Sequence, residues 1–274
     1  MKNIFQILLL VFLLTSCEEV IDVDLNTAPP QLIVDAPIYW DKTTDGKLQT
    51  ITISKTSDYF KNEMPMVSGA KVYITNSKAE VFNFIDNNDG KYVCSDFISE
   101  INETYTLTVE YNGTIFKATE KMIPAPSINS IEDIQTNGFA GGKTTEIKIK
   151  FNDPKGEKNF YLTGAKPSSK PLFQYGVQND QFTDGNEMFE LYRDDELKSN
   201  ESVSIVQLGI SEGYYNYLKV LLAIAGNSGG GPFSTPSATV KGNIINQTDK
   251  NKNPLGYFRA SQVNNITYTI TSKE

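Results

Sequence analysis

The first residue whose type and position could do chemistry is Cys17, which follows Leu14-Thr15-Ser16. An aliphatic residue, two small residues and a cysteine make up a lipobox. The small side chains let a peptidase reach the backbone, the thiol accepts a diacylglycerol, and cleavage leaves Cys17 as the new N-terminus. Met1-Lys2-Asn3 supplies one positive charge, and Ile4 to Leu14 is apolar except for Gln6. That is the layout of a secretory signal peptide, and it is shorter than the roughly 20 apolar residues of a spanning helix. Residues 1–16 are expected to be a removable leader and Cys17 the lipidated anchor. A single acyl chain holds a protein only marginally, at about 0.8 kcal/mol per buried methylene, so the two or three chains on a lipobox cysteine give lasting attachment.

The remaining chemistry is limited by what is missing. The chain has no histidine, which removes Ser-His-Asp and Cys-His catalysis, His-ligated zinc or haem, and histidine pH switching. Cys94 is the second of two cysteines. With Cys17 lipidated it has no partner for an intrachain disulfide, and it is expected to be buried on the strand face it shares with Tyr92 and Asp96. Carboxylates are plentiful, but Asp194-Asp195-Glu196, the densest cluster, reads as a solvated turn. Asp249, Asn251 and Asn253 alternate like the start of an EF-hand loop. Pro254 stands where that loop needs glycine, and Ala260 where it needs glutamate. Gly226 to Pro232 lacks the Lys-Ser/Thr of a phosphate loop. No catalytic residue, cofactor or metal site is expected. The formal net charge is −8, with no basic run, which argues against nucleic acid.

The elements that would position any site are mostly strands. Residues 17–30 read as the lipidated cysteine and an acidic tether (Glu18, Glu19, Asp22, Asp24), either a solvated linker or a surface-export tag. From Gln31 the pattern has period two, with strands expected at 32–39, 48–54, 70–75, 80–85, 91–97, 104–111 and 114–120. Asp86 to Gly90 reads as a turn, and Asn112-Gly113 is a strong hairpin signal. Seven strands over 31–124 predict an immunoglobulin/fibronectin-like sandwich, in which Tyr105 could form a tyrosine corner. Pro124-Ala125-Pro126 divides it from a second β-rich domain, 127–274. Strands are expected there at 146–151, 159–163, 187–192, 203–208, 238–245, 255–260 and 265–271, with long loops between Lys166 and Gly185. A helix is expected over 211–226, capped by Ser211 and ended by Gly226, with Tyr214, Tyr217, Leu218, Leu221 and Leu222 on its packed face. The fold class is therefore mainly β with one helix.

The C-terminal elements Gly231-Pro232-Phe233-Ser234-Thr235-Pro236, Gly242-Asn243-Ile244 and Leu255-Gly256-Tyr257-Phe258-Arg259-Ala260-Ser261, with Cys17 to Leu25 at the start, resemble a Bacteroidota family of surface lipoproteins. The family is known only as a domain of unknown function and is usually encoded beside a TonB-dependent outer-membrane receptor. The resemblance implies a lipoprotein on the outer membrane, facing the exterior, that acts as a non-enzymatic binding accessory of such a receptor. It carries over no catalytic residues. Partner contact is expected from the Gly226–Pro236 and Ile245–Pro254 loops, through Asn227, Phe233, Asp249 and Asn251, with Tyr257 as an aromatic anchor if exposed. Two alternatives stay open: a carboxylate-based surface glycan hydrolase, and a structural or adhesive sandwich protein.

Overall fold

Period-two alternation makes strands here because one face of each is buried and the other wet. The computed structural model describes residues 29–58, 64–137, 143–225 and 240–272. The first strands are β1 (Leu32–Asp41), β2 (Gln49–Lys55), β3 (Lys71–Asn76), β4 (Val81–Asp86), β5 (Lys91–Cys94), β6 (Thr104–Tyr111) and β7 (Thr114–Lys121). β4 pairs with β3 through Val81–Phe84 and with β5 through Ile85 and Asp86, so it passes from one layer to the other. The β6–β7 hairpin turns on Asn112 (φ 48°) and Gly113 (φ 75°), the two positive φ values a type I′ turn requires. Tyr105 is fully buried. Its hydroxyl donates to Ile98 O at 2.8 Å and accepts from Glu100 N at 2.9 Å, forming a tyrosine corner. The unit is an immunoglobulin/fibronectin-like sandwich around Phe82, Phe84, Phe97 and Tyr105.

The rest of the chain has β8 (Ser127–Asn137), β9 (Lys143–Asn152), β10 (Phe160–Pro167), β11 (Gln174–Asn179), β12 (Glu187–Arg193), β13 (Ser202–Ile210), helix α1 (Glu212–Ala225), β14 (Ile245–Asn246) and β15 (Leu255–Thr269), and all of these but β14, which pairs with β7, build a second unit. One sheet, β12-β9-β8, faces β10, β13 and the end of β15 across Ile147, Ile149, Val203 and Ile205. On the opposite face α1 packs Tyr214 and Leu218 against Leu162, Leu208 and Val263. Ser211 caps the helix, its Oγ accepting from Tyr214 N at 3.2 Å.

Four elements differ from the sequence reading. The expected strands 255–260 and 265–271 are one strand, β15. Its polar middle looks like a break but is used on the connector: Gln262 Oε1 accepts from Ala125 N at 3.3 Å, and Asn264 Nδ2 donates to Pro126 O at 2.8 Å. Lys42 Nζ also donates to Ala125 O and Pro126 O, so the Pro-rich stretch is strapped down. β15 runs parallel to β1, with Ile33 opposite Leu255 and Asp41 opposite Val263, and Ile244, Phe258 and Ala260 complete the first core. β8 was not expected. A bulge between Ile128 and Ser130 shifts its register and hides its alternation. β11 falls within the expected 166–185 loops, as a polar edge strand on β10. The described part of the expected 238–245 strand is reduced to β14, because Asn243 does a strand's work with its side chain. Its Oδ1 accepts from Phe258 N at 2.9 Å and its Nδ2 donates to Phe258 O at 2.8 Å. Gly242 and Gly256 permit this close approach, since a Cβ on Gly242 would lie 1.8 Å from Gly256 O.

Candidate functional site

Asp35, Tyr39 and Asp41 of β1 and Arg259, Val263 and Asn265 of β15 reach one face of the sheet, because alternate residues of a strand share a side. Helix α1 leans over that face, leaving a cleft of about 390 Å³ between Leu218, Leu221 and Leu222 and the sheet residues Leu162, Leu208 and Val263. The volume lies in the ordinary range of small-molecule sites, which are mostly apolar with a few placed polar groups. Arg259 is the cationic group of the cleft, its side chain 14% exposed. Its Nε donates to Tyr39 Oη at 2.7 Å and its Nη1 to Asp35 Oδ1 at 2.6 Å, and the guanidinium lies 5.3 Å from the ring centres of Tyr39 and Tyr214. Burial works against its charge, but Tyr39, Tyr214 and Asp35 outweigh it and hold the group protonated. At the other end Asp41 accepts from Asn265 Nδ2 at 2.5 Å and from Thr43.

A second cluster lies at the far end of β10. One oxygen each from Asp153, Asp180 and Asp184 falls within 4.8 Å of the others, the first two residues being buried. Donors already hold all three: Tyr161 Oη and Gly185 N on Asp153, Asn159 N on Asp180, Gly156 N on Asp184. Sequence reading missed this cluster because its members come from separate loops that only folding brings together. It also missed the cleft. One signal for the cleft was legible: Arg259 interrupts an otherwise apolar strand run.

The residues singled out from sequence are dispersed. Cys17, Asn227 and Phe233, with the Gly226–Pro236 loop, lie outside the described residues. Tyr257 is not an exposed anchor. It is buried, packed at 4.9 Å on both Tyr214 and Tyr217, and its hydroxyl donates to Glu120 Oε1 at 3.1 Å. Cys94 is buried, and burial pushes its thiol up to about 11. β5 ends at Cys94 and Asp96 is exposed, but the two side chains meet, the Cys94 thiol donating to Asp96 Oδ1 at 3.2 Å. Asp194 and Glu196 both pair with Lys170, which offsets part of the charge of this acidic turn.

Asp249 and Asn251 sit in a loop that hydrogen-bonds itself. Buried Asn246 accepts from Thr248 N and Asp249 N, donates through Nδ2 to Lys252 O, and donates its N–H to Asn253 Oδ1 at 2.8 Å. Asp249 Oδ1 accepts from Asn251 N and its Oδ2 pairs with Lys252. The loop joins the first sandwich, because β14 pairs with β7. Lys250, Asn251 and Lys252 face solvent.

No curated protein relative matches the chain. Among solved structures, a cytokine receptor complex is 8% identical at a TM-score of 0.26, covering 68% of this chain and 86% of that one. A biofilm-associated protein BSP domain is 15% identical at 0.24, covering 66% and 26%. The two-domain fibronectin type-III segment of chicken tenascin is 9% identical at 0.22, covering 66% and 90%. Residues 18–267 match one family model, and the chain belongs to that family, the domain of unknown function DUF4249.

Proposed function

We propose that this protein is a lipid-anchored lipoprotein of the outer membrane, facing the cell exterior, that acts as a non-enzymatic binding accessory of a TonB-dependent receptor. The observation that carries this reading is the loop stapled by Asn246. A loop fixed before contact loses little freedom on docking, so more of its contact energy appears as affinity. Lys250, Asn251 and Lys252 at its exposed tip form the docking surface. The lipobox at Cys17 supplies the anchor, and confinement to a membrane raises the effective concentration of a partner there, so a modest interface suffices.

The test has two arms. Mass spectrometry of the N-terminal peptide is expected to show Cys17 carrying two or three acyl chains; an unmodified Cys17 with a free amine ends the anchor. The double variant Lys250→Glu, Asn251→Arg leaves the Asn246 staple and the Asp249–Lys252 pair in place. It is expected to lose at least tenfold in copurification with a TonB-dependent receptor from solubilised outer membranes. Full retention moves the interface elsewhere, and an intact protein that associates with no outer-membrane protein ends the receptor reading.

A further inference from the structure

We propose that the cleft beneath α1 is a binding site for a small amphipathic carboxylate, whose head group meets Arg259 and whose apolar body lies between the helix and the sheet. The inference does not depend on the anchor or the receptor. It rests first on an incomplete hydrogen-bond set. A guanidinium has five N–H donors in a fixed fork. Arg259 uses Nε on Tyr39 and Nη1 on Asp35, while Nη2 donates to no described residue and is not among the sealed, unpartnered atoms, which leaves it within reach of a group entering the cleft that Arg259 lines. An oxygen acceptor entering the cleft supplies what Nη2 lacks, and a carboxylate does so with a charge-assisted bond.

The second support is shape and lining. Between Arg259 and the Asp41–Asn265 end the walls include Leu162, Leu208, Leu218, Leu222 and Val263 around about 390 Å³, which favours a hydrocarbon or aryl body. The third is that the cation is already positioned: Asp35 and Tyr39 fix two edges of the fork, and the rings of Tyr39 and Tyr214 flank it. A ligand does not have to order this side chain, which lowers the entropic cost of binding. Asp41 lies four positions along β1 from the residue paired with Arg259, about 13 Å at the strand rise. The carboxylate head is therefore confined to the Arg259 end.

The test is titration calorimetry of the detergent-solubilised full chain with 4-phenylbutyrate, 4-phenylbutanol and 4-phenylbutylamine, each against a matched detergent blank. Phenylbutyrate is expected to bind at least tenfold more tightly than the alcohol, and the amine more weakly than either. Arg259→Gln removes that preference while changing alcohol binding less than twofold. Leu221→Trp, at the partly exposed rim of the cleft, fills the cleft without touching the core and lowers binding of acid and alcohol together. Equal binding of acid and alcohol by the native chain overturns the head-group assignment, and binding unaffected by Leu221→Trp overturns the location. Should no probe bind the native chain, but bind once residues 227–236 are replaced by a Gly-Ser linker, the chain itself occupies the cleft and the small-ligand proposal is overturned. Absence of binding in both forms overturns it equally.

Discussion

Two buried glutamines separate the two halves of the molecule. Gln49, in the first sandwich, donates to Tyr39 O at 2.9 Å and to Gly46 O at 2.7 Å, and accepts from Tyr39 N. Gln207, on β13 in the second unit, is fully buried with neither end of its amide hydrogen-bonded, and Thr163, its register partner on β10, has an unpartnered hydroxyl. Among the described residues, each buried side-chain polar atom without a partner belongs to the second unit. The apolar core differs in the same sense. The first sandwich has one continuous cluster, while the second divides into an intersheet core, a helix-side core and a small group around Phe151. Three thin layers cannot each be sealed by so few side chains, and the gaps that result include the cleft. The first sandwich is close-packed scaffold; the second carries the incompletely satisfied groups.

The largest effect should come from the scaffold. Phe97 is fully buried, with Phe82 at 4.6 Å and Tyr105 at 5.1 Å between ring centres. Phe97→Ala should cost about 3–5 kcal/mol, and Phe151→Ala should fall at the lower end because its cluster contains only Tyr161 and Met188. Denaturant unfolding of both variants checks this; equal costs would remove the contrast in packing. The glutamines sharpen it. Gln49→Leu strands Tyr39 N and Tyr39 O, while Gly46 O keeps Ser99 Oγ, and should cost about 1–3 kcal/mol, whereas Gln207→Leu should be neutral or stabilising, since an apolar replacement removes an unmet polar group. If both cost the same, Gln207 has a partner in solution and the units are equally satisfied.

Smaller effects follow from single hydroxyls and carboxylates. Tyr105→Phe keeps the ring and loses the corner's hydrogen bonds, so about 1 kcal/mol should be lost, read as a shift in denaturant midpoint with an unchanged slope. The smallest effect is a pH dependence. Burial would raise Asp133, but hydrogen bonds from Ser272, Tyr268 and Thr271 outweigh it and hold the carboxyl far below its ordinary value of 3.8. A depressed carboxyl contributes stability above its unfolded value and loses it as pH falls toward the folded one. The advantage of the native chain over Asp133→Asn should therefore be constant above about pH 5 and shrink steadily below 3.8. Glu120 has the opposite sign. Burial raises it against hydrogen bonds from Ser211, Tyr257 and Asn243, so its contribution should decline as pH rises above 4.5, and Glu120→Gln should flatten that decline. Parallel profiles for native and variant chains would remove either assignment.

Local physics made much of the fold legible from sequence. Alternation located β1 to β7 because each has one buried face, Asn112-Gly113 marked its hairpin because few residues accept positive φ, and Ser211 marked the helix start because its hydroxyl meets an orphan N–H. Lipobox spacing is likewise a local signal, and it is what points to Cys17. Tertiary structure decided the rest. The pairing of β1 with β15 joins opposite ends of the chain, and no local period encodes a partner so distant. The bulge in β8 displaces the alternation by one residue, and the polar run in β15 interrupts the strand pattern because Gln262 and Asn264 bond Ala125 and Pro126. Tyr257 could have been an exposed anchor or a core ring, and only the docking of α1 buried it. The cleft around Arg259 and the meeting of Asp153, Asp180 and Asp184 have the same origin: each gathers residues from separated segments, so its chemistry exists only once the chain has folded.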